Sequence, residues 1–158
     1  MKLFKLAMIA FFGAGAFAAE QEVNVRVEAV AGNVSMLVGS GGNIGVLAGE
    51  DGVILIDDQF APLTEKIRQA VQSIDKGPIR FVLNTHWHYD HTGGNENFGK
   101  AGTVIVAHNN VRQRMSTDQL MAFFKREVKA SPKEALPVIT FGQDIQFHLN
   151  GEKMEVIH

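Results

Sequence analysis

The chain has no cysteine among its 158 residues. That excludes a disulfide framework and removes every thiolate from the metal ligands this sequence can offer. It carries no excess of either charge, with a formal net charge of −2 at pH 7. Surfaces for nucleic acid or anionic membrane need a basic stripe, and the sequence shows none. There is no internal repeat and no low-complexity tract. What remains is an ordinary soluble composition, 46% hydrophobic and 20% charged. The length suits one domain with a real core.

One apolar run stands at the start. "MKLFK" is a short basic opening, "LAMIAFF" is apolar, and "GAGAFAA" supplies small residues. The run is too short for a comfortable transmembrane helix. Ala16 and Ala18 fit an A-x-A cleavage pattern. The expectation is a signal peptide over residues 1–18, cut after Ala18. The mature chain, 19–158, is then periplasmic or secreted, with no stable membrane anchor after cleavage.

Further along, the period of the apolar residues changes. Residues 22–30, 33–39, 44–49 and 53–56 read as four strands in a β-meander. Leu63, Ile67, Ala70, Val71 and Ile74 fall on one helical face, with Pro62 near the first turn and Gly77-Pro78 as a stop. Ile79–Asn84 reads as a strand, then a short helix near Asn95–Phe98, a strand over Thr103–Ala107 and a helix over Asn110–Met115. Ser116 and Gln119 have capping-box spacing, so Leu120, Met121, Phe123, Phe124 and Val128 predict a second amphipathic helix there. In that reading Phe123 and Phe124 face the core. Three short strands finish the chain, and nothing in the composition divides it into two domains.

"NTHWHYDHTGGN", residues 84–95, places His86, His88, Asp90 and His91 within six positions. The loop leaves the carboxyl end of a strand, a usual address for a functional site. On an extended backbone His86 and His88 point to one side and can share an ion. Asp90 and His91 can serve a second ion as the chain turns. Gly93 and Gly94 let the backbone curl and approach its neighbours closely. Imidazole and carboxylate without sulfur suit zinc, with iron or manganese as alternatives.

This stretch resembles the H-x-H-x-D-H signature of the metallo-β-lactamase-fold hydrolases, and "GVILIDD" and "PIRFVLN" resemble that family's opening strands. The resemblance runs from about Glu22 to His158. It implies an α/β (α+β) fold, the N-terminal half of an αββα sandwich. It implies two zinc ions in the complete domain, His86 and His88 on the first and Asp90 and His91 on the second. Asp57 matches an acid that braces the metal loop, with turn capping as its plainer role. The implied chemistry is hydrolysis of an amide, ester or thioester by a metal-bound hydroxide that Asp90 orients, on a small-molecule substrate.

The family takes its remaining ligands from a segment that follows "GEKMEVIH". The expectation is therefore an N-terminal half-domain with an incomplete site, weakly stable alone. His108, His148 and His158 are not expected to be ligands. Trp87 is expected to pack, and Tyr89 could line the pocket. Two rival readings stay open: an iron-dependent oxidoreductase of the same fold and a non-catalytic metal-binding remnant.

Overall fold

The computed structural model describes residues 23–158, with the side chain of Phe123 left out. The expected signal peptide lies outside these residues.

Four antiparallel strands open the fold: β1 (Arg26–Ala31), β2 (Val34–Val38), β3 (Asn43–Leu47) and β4 (Val53–Ile56). After β4 the pairing turns parallel, through β5 (Ile79–Asn84) and β6 (Val104–His108) to the later strand at residues 139–141. Helices make these crossovers. A 3₁₀ turn at Ala61–Leu63 carries Pro62 and leads into α1 (Thr64–Ile74). Two short helices, α2 (Tyr89–Thr92) and α3 (Asn95–Lys100), join β5 to β6, and α4 (Asn109–Met115) follows β6.

Strand parity splits the core into two layers. Val53, Leu55, Val82 and Ile105 point to one face and bury Ile67 and Val71 of α1 and Phe98 of α3. Ile54, Leu83 and Val106 point to the other, against Phe147, Leu149 and Met154. Strands buried on both faces read as unbroken apolar runs, which is why "VILI" shows no alternation.

The second face is covered by a hairpin. Before it comes a pair, β7 (Gln119–Met121) and β8 (Arg126–Val128), and then β9 (Ile139–Phe141), which completes a seven-stranded sheet ordered β1-β2-β3-β4-β5-β6-β9. The covering hairpin is β10 (Asp144–Leu149) with β11 (Glu152–Ile157). Its turn is Asn150-Gly151, both at positive φ (58° and 75°), as a tight two-residue turn requires. Asn150 pins the hairpin to the sheet, donating from Nδ2 to Gly52 O at 2.8 Å and accepting from Asp51 N at 2.8 Å. Helices on one face and a hairpin on the other are the expected half-sandwich. The sheet ends on two edge strands, β9 and β1, and β1 is exposed along its whole length.

The helix expected over residues 116–128 does not form; β7 and β8 stand there instead. Ser116 Oγ donates to Arg112 O and Gln113 O, and Thr117 Oγ1 to Gln113 O, so α4 ends where the new helix was to begin. Asp118 accepts from Ala130 N at 2.9 Å and from Lys129 Nζ at 2.8 Å, which closes a β hairpin. Lys125 takes a left-handed φ of 48° in its turn. The helical stripe lacks a face to bury against: Leu120 is 69% and Phe124 65% exposed, so Phe124 is not a core residue.

Candidate metal centre

The site grows from the end of β5. Val82, Leu83 and Asn84 are buried, and the chain then bends through Thr85–Trp87 before α2 begins. The bend takes in His86, whereas His88 keeps the extended backbone expected for it (φ −66°, ψ 145°). Asn84 and Asn95, the two ends of the quoted stretch, clasp each other. Asn84 Nδ2 donates to Asn95 Oδ1 at 3.0 Å, and Asn95 Nδ2 returns a bond to Asn84 Oδ1 at 2.9 Å. Asn95 also donates to Ala135 O at 2.9 Å, and Asn84 to His91 O at 3.2 Å. Both amides are buried and satisfied, so the loop's two ends are fixed.

Gly93 and Gly94 have ordinary helical φ values (−67° and −80°), so close approach, not backbone freedom, is their role. A Cβ on Gly93 would lie 2.6 Å from Tyr89 O and 2.7 Å from Gln59 O. Gly94 N donates to Asp58 Oδ1 at 2.9 Å.

Beneath the loop sits Asp57, buried and in a left-handed conformation, φ 66°. An Asp tolerates that region at some cost, here offset by its hydrogen bonds. Thr85 N donates to Oδ1 at 2.8 Å, and Thr85 Oγ1 donates to Oδ2 at 2.7 Å. His91 Nδ1 lies 2.7 Å from the same Oδ2. A carboxylate fixes Nδ1 as the protonated nitrogen and leaves Nε2 of His91 as the free donor atom. The Thr85 hydroxyl donates its hydrogen bond to Asp57, so its oxygen can accept from His86 Nδ1, 3.1 Å away. One buried acid thereby sets the orientation of His91 directly and of His86 through Thr85.

His86, Asp90 and His91 present donor atoms that all lie within 4.8 Å of one another. The rings of His86 and His91 are 3.9 Å apart, and His91 Nε2 lies 3.5 Å from Asp90 Oδ2. His88 stands beside this trio, its ring 4.8 Å from that of His86. Burial first, then the neighbouring His91 and His88, hold the His86 imidazole below its ordinary pKa. The neutral imidazole that results is the form that ligates. Burial also pushes the Asp58 carboxyl well above the usual carboxylate range, against the Gly94 hydrogen bond and with help from Asp57. Asp58 Oδ2 and Gln59 Oε1 are buried without a hydrogen-bond partner.

Gln59 Nε2 donates to Gly42 O and so ties the glycine turn between β2 and β3 to the site. A Cβ on Gly41 in that turn would meet the Phe60 ring at 2.5 Å and Asp90 Cβ at 3.2 Å. Trp87 packs on Val111, Met115 and Ala135, as expected. The other described histidines lie apart. His108 uses both ring nitrogens locally, Nδ1 accepting from Asn110 N and Nε2 facing Gly142 O at 2.9 Å, and its ring stacks on His158 at 3.6 Å. His148 is exposed. A cavity of about 560 Å³ opens next to the trio and includes His88, Tyr89 and Asp90 in its wall.

The family model described as the metallo-beta-lactamase superfamily matches residues 37–158. The chain belongs to the metallo-β-lactamase superfamily. Solved metallo-β-lactamases share its fold. One from Pontibacter korlensis has a TM-score of 0.60 at 23% identity, covering 84% of this chain and 60% of that one. One from Cronobacter sakazakii, described by its HARLDQ motif, has a TM-score of 0.68 at 21% identity, over 82% of this chain and 51% of that one. In sequence, the chain is 31% identical over 91 residues to the 2,4-dinitroanisole O-demethylase subunit alpha of a Nocardioides species. That match takes in 56% of this chain and 28% of the relative. The chain thus spans between about a quarter and three-fifths of the length of these superfamily relatives.

Proposed function

We propose that this chain carries the first half of the metal site of a zinc-dependent hydrolase, acting on the carbonyl of an amide, ester or thioester in a small molecule. The observation that supports it is the convergence of His86, Asp90 and His91. The donor set fits zinc: it is imidazole and carboxylate without sulfur, and the carboxylate behind His91 is the partner that zinc-binding histidines commonly have. His86 and His88 would hold a first ion, and Asp90 and His91 a second, with further ligands supplied by the rest of the complete domain. Zinc, when bound, lowers the pKa of a coordinated water to about 7 and polarises the carbonyl oxygen. The protein's own part is positional. Asp57 and Thr85 keep the Nε2 atoms of His91 and His86 aimed outward, and Asp90 accepts a hydrogen bond from the attacking water and orients it. The cavity beside Asp90 receives the substrate. The apolar leader motif supports a periplasmic or secreted location.

The test combines metal content with turnover. Elemental analysis of the chain purified without added metal, and again after zinc loading, should find zinc, and H91A should lose most of it. Esters, thioesters, lactams and lactones form the substrate panel. An aryl methyl ether joins it because the Nocardioides relative is named an O-demethylase. Iron at one per chain would favour the oxidoreductase reading, and full metal with no turnover the non-catalytic one.

A further inference from the structure

The cavity beside the metal trio has a chemical character of its own. Its wall includes Phe60, Trp87, Tyr89, Met121 and Phe124, an apolar and largely aromatic surface. Three cations line it, Arg114, Arg126 and Lys129, against one carboxylate, Asp90. That is a local excess of positive charge in a chain whose formal net charge is −2.

The three cations differ in how they are engaged. Lys129 is neutralised, with Nζ 2.8 Å from Asp118 Oδ2 and 3.7 Å from Glu127 Oε2. Arg114 and Arg126 have no carboxylate within ion-pair distance among the described residues. Each lies over an aromatic ring instead: Arg114 Cζ is 5.7 Å from the centre of Trp87, and Arg126 Cζ is 5.3 Å from that of Tyr89. Stacking of this kind positions a guanidinium while leaving its N–H fork open. An open fork matches a carboxylate or a phosphate in a bidentate pair. Asp90 faces His91 Nε2 at 3.5 Å and makes no ion pair with either arginine among the described residues.

The geometry points to a substrate that joins an apolar body to an anionic group, the body lying on the aromatic wall and the anion held by Arg114 and Arg126. This deepens the hydrolase reading and rests on it only for calling the ligand a substrate. The cavity's selectivity is a binding property and is measured without turnover.

Trp87 is the chain's single tryptophan, so its emission reports directly on this wall. The experiment titrates the full chain with 4-phenylbutyrate, 3-phenylpropyl phosphate and the neutral 4-phenylbutyramide. It follows Trp87 fluorescence with calorimetry as a second readout. Each titration is run with zinc and again with chelator, because an anion can also bind a metal directly. In the chelated protein either anion should bind about tenfold tighter than the amide, and the preference should shrink as salt rises. Which anion binds tighter identifies the group. R114Q and R126Q should each reduce the preference and together abolish it, with amide affinity unchanged as proof of an intact wall. K129Q should retain it. Equal binding of all three probes, no binding of any, or a preference that survives the double variant overturns the proposal. So does a preference that appears only with zinc or is lost in K129Q. A chain that shows the preference but takes up no zinc would sink the hydrolase reading and leave this one standing.

Discussion

Residues 85–100 and residues 116–130 lie in the crossovers that leave β5 and β6, and both border the same cavity. They are held in opposite ways. The first segment is fixed from beneath by buried polar groups: Asp57, Asp58, Asn84 and Asn95 are each at most 4% exposed. The second is closed by Asp118, Lys129 and Ala130, an arrangement at the surface. Buried hydrogen bonds resist solvent and salt, while exposed ion pairs are screened and contribute little. The wall that carries the candidate metal ligands is thus the more firmly held, and the hairpin wall is the more easily changed.

The sharpest way to break this contrast is a pair of phenylalanines. Phe98 is fully buried within the first segment, under the Arg68 guanidinium at 4.8 Å, whereas Phe124 is 65% exposed in the second. Phe98→Ala should cost about 3–5 kcal/mol in urea unfolding, and Phe124→Ala roughly 0.5 kcal/mol or less. Similar costs for the two would show that the hairpin is part of the core.

Next comes the acid behind the histidines. Asp57→Ala removes the acceptor for Thr85 and His91 and should weaken zinc binding by about 10–100-fold in a chelator competition. Unchanged affinity would mean that Asp57 only caps its turn.

The smallest effect belongs to the surface closure. The Lys129 hydrogen bond, then that of Ala130 N, hold the Asp118 carboxyl below its ordinary pKa. Its folded pKa is depressed, so the hairpin contact is present at neutral pH and is lost as pH falls through that value. The Ala130 amide resonance should therefore titrate with a midpoint below that of an ordinary aspartate. A midpoint at the ordinary value would mean that the hairpin is open in solution.

Legibility in the sequence followed distance along the chain. Strand and helix periods placed α1 and the four central strands, since each reports a local choice of which face to bury. The same argument failed at residues 116–128, where an apolar stripe of helical spacing had no face to cover it. Within the site, His86, His88, Asp90 and His91 were visible because they share one loop. Asn84 and Asn95 stood at the ends of that same quoted stretch, and their symmetry was the available signal. Thr85 carried none: its role needs Asp57, 28 residues away. Asp58 and Gln59 were likewise invisible, because nothing local says that a polar pair after a strand is buried.

By itself the sequence determined the candidate ligand types, their spacing and the two alternating periods that make this a layered α/β fold. Those follow from covalent geometry and from the burial of apolar side chains. Tertiary structure alone decided which three donors converge, which ring nitrogens they present, and that two arginines with no ion-pair partner among the described residues stand on the aromatic wall beside them. The donors share one loop, but Asp57 meets His91 from 34 residues away and the arginines meet rings of a different segment, and no local pattern encodes such meetings.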